Sequence, residues 1–119
     1  GSASAMGLSS GEATYFGDSG KSVKVSIFDG AGESGSAIIN MTYLALSMEM
    51  ESIQNTTTKK TETIDGLKCL TENDTNTNYQ RSSITYLYNE RFNITLEGSQ
   101  MQLDELKSYM KKIDLSKLN

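Results

Sequence analysis

Residues 83–88 and 91–97 are two runs in which apolar and polar side chains alternate, and only Asn89-Glu90 separates them. Successive strand residues point to opposite faces, so Ile84, Tyr86 and Tyr88 share one side of the first run. Phe92, Ile94 and Leu96 share one side of the second. A two-residue connection leaves antiparallel pairing as the geometry open to them, with Asn89 suited to a left-handed turn. Just upstream, residues 56–64 are β-branched and polar on both faces, and residues 67–72 supply a return strand. Asp65-Gly66 between them is the pattern that a type I′ hairpin turn selects. Four strands in succession joined by short turns commit this half of the chain to an antiparallel sheet.

The N-terminal half adds two strands and a helix. Residues 13–16 form a short strand candidate that ends at Gly17-Asp18-Ser19-Gly20, a strong turn signal. Val23, Val25 and Ile27 then alternate with polar neighbours and are expected to face the core. After Asp29 and a glycine-rich break, Ile38, Met41, Ala45 and Met48 recur at helical spacing, widened by Ile39 and Leu44. This predicts a helix from residue 35 or 36 to 52, with that stripe lying on the sheet. A last helix is predicted over residues 100–113, with Leu103, Leu106, Met110 and Ile113 on one face. Ser99 and Gln102 match a capping box for it, and Leu115 and Leu118 should pin the tail. The order ββαββββα is an α+β domain: an antiparallel sheet of five to six strands with two helices.

Composition bounds the function. With 119 residues, 36% of them hydrophobic, the chain suits one domain with a real core. Residues 1–12 read as a flexible tag or linker and residues 13–119 as the domain. Eleven basic against fifteen acidic residues leave a net charge of −4, which argues against nucleic acid or an anionic membrane surface as the main partner. No histidine is present, which removes the usual general base and commonest metal ligand. One cysteine excludes an internal disulfide and a thiolate zinc site. No apolar run is long enough to span a bilayer. Four Asn-x-Ser/Thr triplets start at Asn40, Asn55, Asn73 and Asn93, as chance readily gives in a chain so rich in Asn and Thr.

The motifs fall short of chemistry. Gly30-Ala31-Gly32-Glu33-Ser34-Gly35 copies the glycine-rich part of a phosphate-binding loop, but Ser36 stands where its lysine would be and Ala37 where its Ser/Thr would be. The expected role is a strand-to-helix connection. Asp74, Asn76 and Asn78 match three calcium-loop positions, yet Tyr79 replaces the required Gly and Thr85 the bidentate Glu. Cys69 has no histidine to activate it and is expected to be buried and inert. Glu49 with Glu51, and Asp104 with Glu105, point apart on their helices and do not form a catalytic pair. No cofactor or metal is expected. The aromatics offer a surface instead: Tyr86 and Tyr88, with Tyr79, would form a partner face if no helix covers that side of the sheet.

The order of elements, residues 21–27 (KSVKVSI), Asn89-Glu90-Arg91-Phe92 before a strand ending Glu97-Gly98, and residues 112–115 (KIDL) resemble small bacterial extracytoplasmic proteins and lipoproteins with a PsbP-like α/β/α sandwich. That group includes photosystem accessory proteins and secretion chaperones, and binding without catalysis is its common trait. The resemblance implies a periplasmic or lipid-anchored, non-enzymatic binding or accessory domain whose partner is another protein or the chain itself. A chaperone, immunity or inhibitor protein serving one partner is the alternative. A homodimer would form by pairing of residues 56–64, read as a sheet edge, with their own copy.

Overall fold

The computed structural model describes residues 6–7 and 11–118. In chain order the elements are β1 (Met6–Gly7), β2 (Gly11–Phe16), β3 (Ser22–Asp29), α1 (Glu33–Ser47), β4 (Glu51–Gln54) and β5 (Thr57–Ile64). They continue with β6 (Leu67–Asp74), β7 (Arg81–Tyr88), β8 (Phe92–Ser99), α2 (Leu103–Met110) and β9 (Ile113–Asp114). One sheet of seven antiparallel strands runs β2-β3-β8-β7-β6-β5-β4, and β1 pairs separately with β9 in parallel. The α+β class holds, with one strand more in the main sheet than the upper expectation. Gly11 and Glu12, assigned to the linker, belong to β2, and Met6–Gly7 pairs with Ile113–Asp114.

The extra strand is β4. The helix expected through residue 52 stops at Ser47, because Glu49 takes a left-handed φ of 43° that no helix continues. The chain then pairs Glu51 with Lys60 and Gln54 with Thr57. That pairing corrects a second expectation. Residues 57–60 have β4 on one side and β6 on the other, so they offer no open edge for a copy of the chain. Asp65 and Gly66 both take positive φ, 50° and 83°, as a type I′ turn requires. Tyr88 pairs with Phe92, so the last hairpin turns through three residues rather than two, with Asn89 and Glu90 at φ 53° and 55°.

The core lies on one face. Val23, Val25, Ile27, Cys69, Ile84, Tyr86, Phe92, Ile94 and Leu96 project there under Met101, Leu103, Leu106 and Met110, and Leu118 closes the cluster. Of the stripe expected over residues 100–113, Leu103, Leu106 and Met110 are buried on α2, but the helix is shorter, Ile113 lies in β9, and the capping box does not form. Ser99 is held in β8 opposite Ser22 and Arg81, and α2 starts only after Gln102. Asn73 of β6 supplies the cap: its Oδ1 accepts from the Leu103 N–H at 2.8 Å, while its Nδ2 donates to the Gln102 side chain at 3.0 Å. Buried Ser82 donates to the Met101 carbonyl at 2.9 Å. The opposite face of the sheet carries α1.

Candidate functional site

The three glycines that imitate a phosphate loop serve the seating of α1. A Cβ on Gly30 would overlap Ile39 Cγ1 and lie 2.7 Å from the Arg91 carbonyl oxygen. A Cβ on Gly35 would lie 2.7–2.9 Å from the Gly30 backbone. Gly32, the residue before the helix, has φ 97°, a conformation that glycine adopts without strain. Asp29 and Arg91 form a two-pronged ion pair with both contacts at 2.7 Å, Asp29 also accepts from the Ala31 N–H, and the Gly30 N–H donates to the Arg91 carbonyl. The helix start is thereby fixed to the β7–β8 hairpin, and the Arg91 hydrogen bond, then that from Ala31, hold the Asp29 carboxyl down at about 2.

The helix must then carry the chain from β3 to β4 over five strand spacings. Fifteen residues rise about 22 Å, and five spacings measure about 24 Å, so α1 crosses the sheet instead of running along it. Among its described residues, Gly35, Ile39 and Leu46 are buried against the sheet, Thr42 and Ala45 are half-buried, and Thr42 donates to the Asn93 side chain at 2.7 Å. Of the stripe expected to be buried, Ile39 is seated on the sheet and Ala45 half-buried, but the rest is rotated outward. Met41, Leu44 and Met48 are 70%, 63% and 66% exposed, and Ile38 is 42% exposed. Residues 34–48 contain no charged side chain. Beside this face a groove of about 380 Å³, lined among others by Tyr43, Leu46, Leu67 and Leu87, opens between α1 and the ends of β6 and β7. An uncharged outer face is the signal in the sequence that marks this surface, since a solvated helix normally carries charge there.

The tyrosine face is overturned. Tyr86 is 2% exposed beneath α2, and burial pushes its hydroxyl pKa up. Tyr88 packs half-buried against the core, while Tyr79 stands exposed in the loop before β7. Tyr79 precedes and Tyr88 ends a strand about 23 Å long, so the three make no common surface. A helix covers the side of the sheet on which Tyr86 lies.

Other sequence candidates have internal employment. Asp74 accepts from Thr56 and from the Asn76 N–H, and Asn76 accepts from the Asn78 N–H, so the calcium-like loop is folded on its own backbone. Cys69 is buried, and burial followed by the Glu62 charge raises its thiol to about 11, far from a reactive thiolate. Asn73 spends both side-chain atoms on the α2 cap, and Asn93 Oδ1 accepts from Thr42. Among the described residues no group of three or more His, Cys, Asp or Glu could hold a metal ion. No helix among them is long and apolar enough to cross a membrane.

A polar recess of about 410 Å³ between β5 and α2 is built around Glu62. Burial raises its carboxyl, but the Lys107 ammonium at 2.7 Å and the Thr71 hydroxyl at 2.7 Å outweigh it, and the net pKa lies below the ordinary value. Asp29 is lowered as well. Both groups therefore hold more protons unfolded than folded, and their stabilisation is complete above the unfolded pKa values near 4 and lost as pH falls through the folded ones. Thermal unfolding should shift little between pH 7 and 5 and drop between about pH 4.5 and 2. Glu62→Gln should cost about 1 kcal/mol at pH 7 and flatten that drop. An unchanged acid profile in this variant would show that the ion pair carries no pH dependence.

No family model, no curated protein and no solved structure matches this chain.

Proposed function

We propose that this chain is a non-enzymatic, extracytoplasmic binding or accessory domain that recognises a protein through the outer face of α1, on a PsbP-like scaffold. One observation carries the reading: α1 crosses the sheet with an apolar outer side, and residues 34–48 carry no charge. Exposed Met and Leu side chains cost solubility, and such patches mark contact surfaces in folded proteins. A helix on each face of one antiparallel sheet supports the sandwich relation, and the extracytoplasmic setting rests on the sequence resemblance. The apolar groove beside Tyr43 gives a partner somewhere to insert a side chain, which favours recognition of protein over that of a small polar ligand.

Affinity capture with the tagged full chain and with its Leu44→Glu variant tests this. Stoichiometric association with any protein, a second copy included, should be seen with the parent chain and lost in the variant. Association that survives the substitution, or a turnover abolished by changing a carboxylate or tyrosine, would refute the reading.

A further inference from the structure

We propose that the occupant of the α1 face is a second copy of this chain, packed helix against helix in antiparallel sense across a two-fold axis. This rests on the binding reading above and names its partner. Ala37, Met41, Leu44 and Met48 form the outermost line of the helix, at steps of four, three and four residues, and all four are exposed. Reversed upon itself, that line sets Met41 of one copy over Leu44 of the other and Met48 over Ala37. Large side chains thus meet small ones at both ends and equal ones at the centre, as an isologous interface requires.

The area agrees. Met41, Leu44, Met48 and Ile38 are 70%, 63%, 66% and 42% exposed, so a pair that covered this line completely would approach about 1,200 Å², the lower bound of specific interfaces. Charge points the same way. Two chains of net charge −4 repel wherever acidic surface meets acidic surface, and residues 34–48 bring none into the contact. A membrane is disfavoured, since helices that lie in the lipid interface carry Lys or Arg on the polar side. Here the first charges past the helix are Glu49 and Glu51. Methionine, flexible and polarisable, adapts readily to such a crossing.

Light scattering on the full chain, up to about 100 µM to reach a micromolar dimer, should give twice the 13.0 kDa chain mass. Leu44→Glu and Met41→Glu should each return it to the single-chain mass with an unchanged circular dichroism spectrum, because both sites are solvent-facing. Tyr79→Ser, exposed elsewhere, should leave the dimer intact. A chain carrying both Ala37→Cys and Met48→Cys should become cross-linked between copies on oxidation. These positions are about 16 Å apart along one helix, too far for a disulfide within one chain. A single-chain mass throughout the concentration range, a dimer indifferent to both Glu variants, or absence of the cross-link would each overturn the proposal. If the chain is monomeric yet captures another protein in a Leu44-dependent way, the dimer is wrong and the binding reading stands. If Leu44→Glu changes neither mass nor capture, both fall.

Discussion

Leu106→Ala is expected to cost about 3–4 kcal/mol of stability, a lowering of the melting temperature by about 15 °C. Leu106 is fully buried at the centre of α2, where its stripe meets Ile84, Ile94 and Leu96 of the sheet's core face. Truncation removes the transfer free energy of the lost atoms. It also leaves a cavity, because strands locked on both sides by hydrogen bonds cannot close in on it. The loss is a large share of what a domain this size possesses. Urea and thermal unfolding should show it, with Phe16→Ala as the control: that ring is 83% exposed and its removal should stay within about 0.5 kcal/mol. A loss under about 1 kcal/mol at Leu106 would mean that α2 is not seated as described.

Gly35→Ala should destabilise by about 2–3 kcal/mol, and the sign is the test. In an open helix the same change stabilises by roughly 0.5–1 kcal/mol, because alanine is the better helix former. Here the added methyl would meet the Gly30 carbonyl carbon at 2.7 Å and its Cα at 2.8 Å. Those are backbone atoms tied to the Arg91 carbonyl, and no side-chain rotation relieves the clash. The helix start must lift from the end of β3 and draw Ile39 from its seat. Stabilisation by alanine would show that the first turn of α1 stands clear of β3, and the packing explanation of the glycines would be lost. With that explanation goes the reason the motif has no need of a phosphate.

The two elements read most accurately from the chain share one property: their pattern and their burial agree locally. Val23, Val25 and Ile27, and likewise Phe92, Ile94 and Leu96, alternate because one side of the sheet is dry, and the turn at Asp65-Gly66 has backbone angles that its residue types select locally. In α1 the pattern is ambiguous. Ile38, Met41, Ala45 and Met48 make one stripe, and Gly35, Ile39, Thr42 and Leu46 another, both at helical spacing. The weaker-looking stripe is the buried one, since its glycine permits the close approach to β3 and its threonine reaches Asn93. Hydrophobicity alone ranks them in the wrong order. The Tyr86 misreading has the same root: alternation puts the ring on a face, and only the path of α2 decides whether that face is wet.

The amino-acid order by itself determined the antiparallel sheet, the two helices, the absence of an imidazole and the incompleteness of every catalytic motif, because these depend on residue type and near neighbours. Which helix covers which face, the recruitment of β4 to the sheet edge, the Asn73 cap and the outward turn of Met41, Leu44 and Met48 were decided by tertiary structure. Apart from the local β4–β5 hairpin, each of these depends on groups far apart in sequence meeting across a sheet whose width sets the direction in which α1 must run.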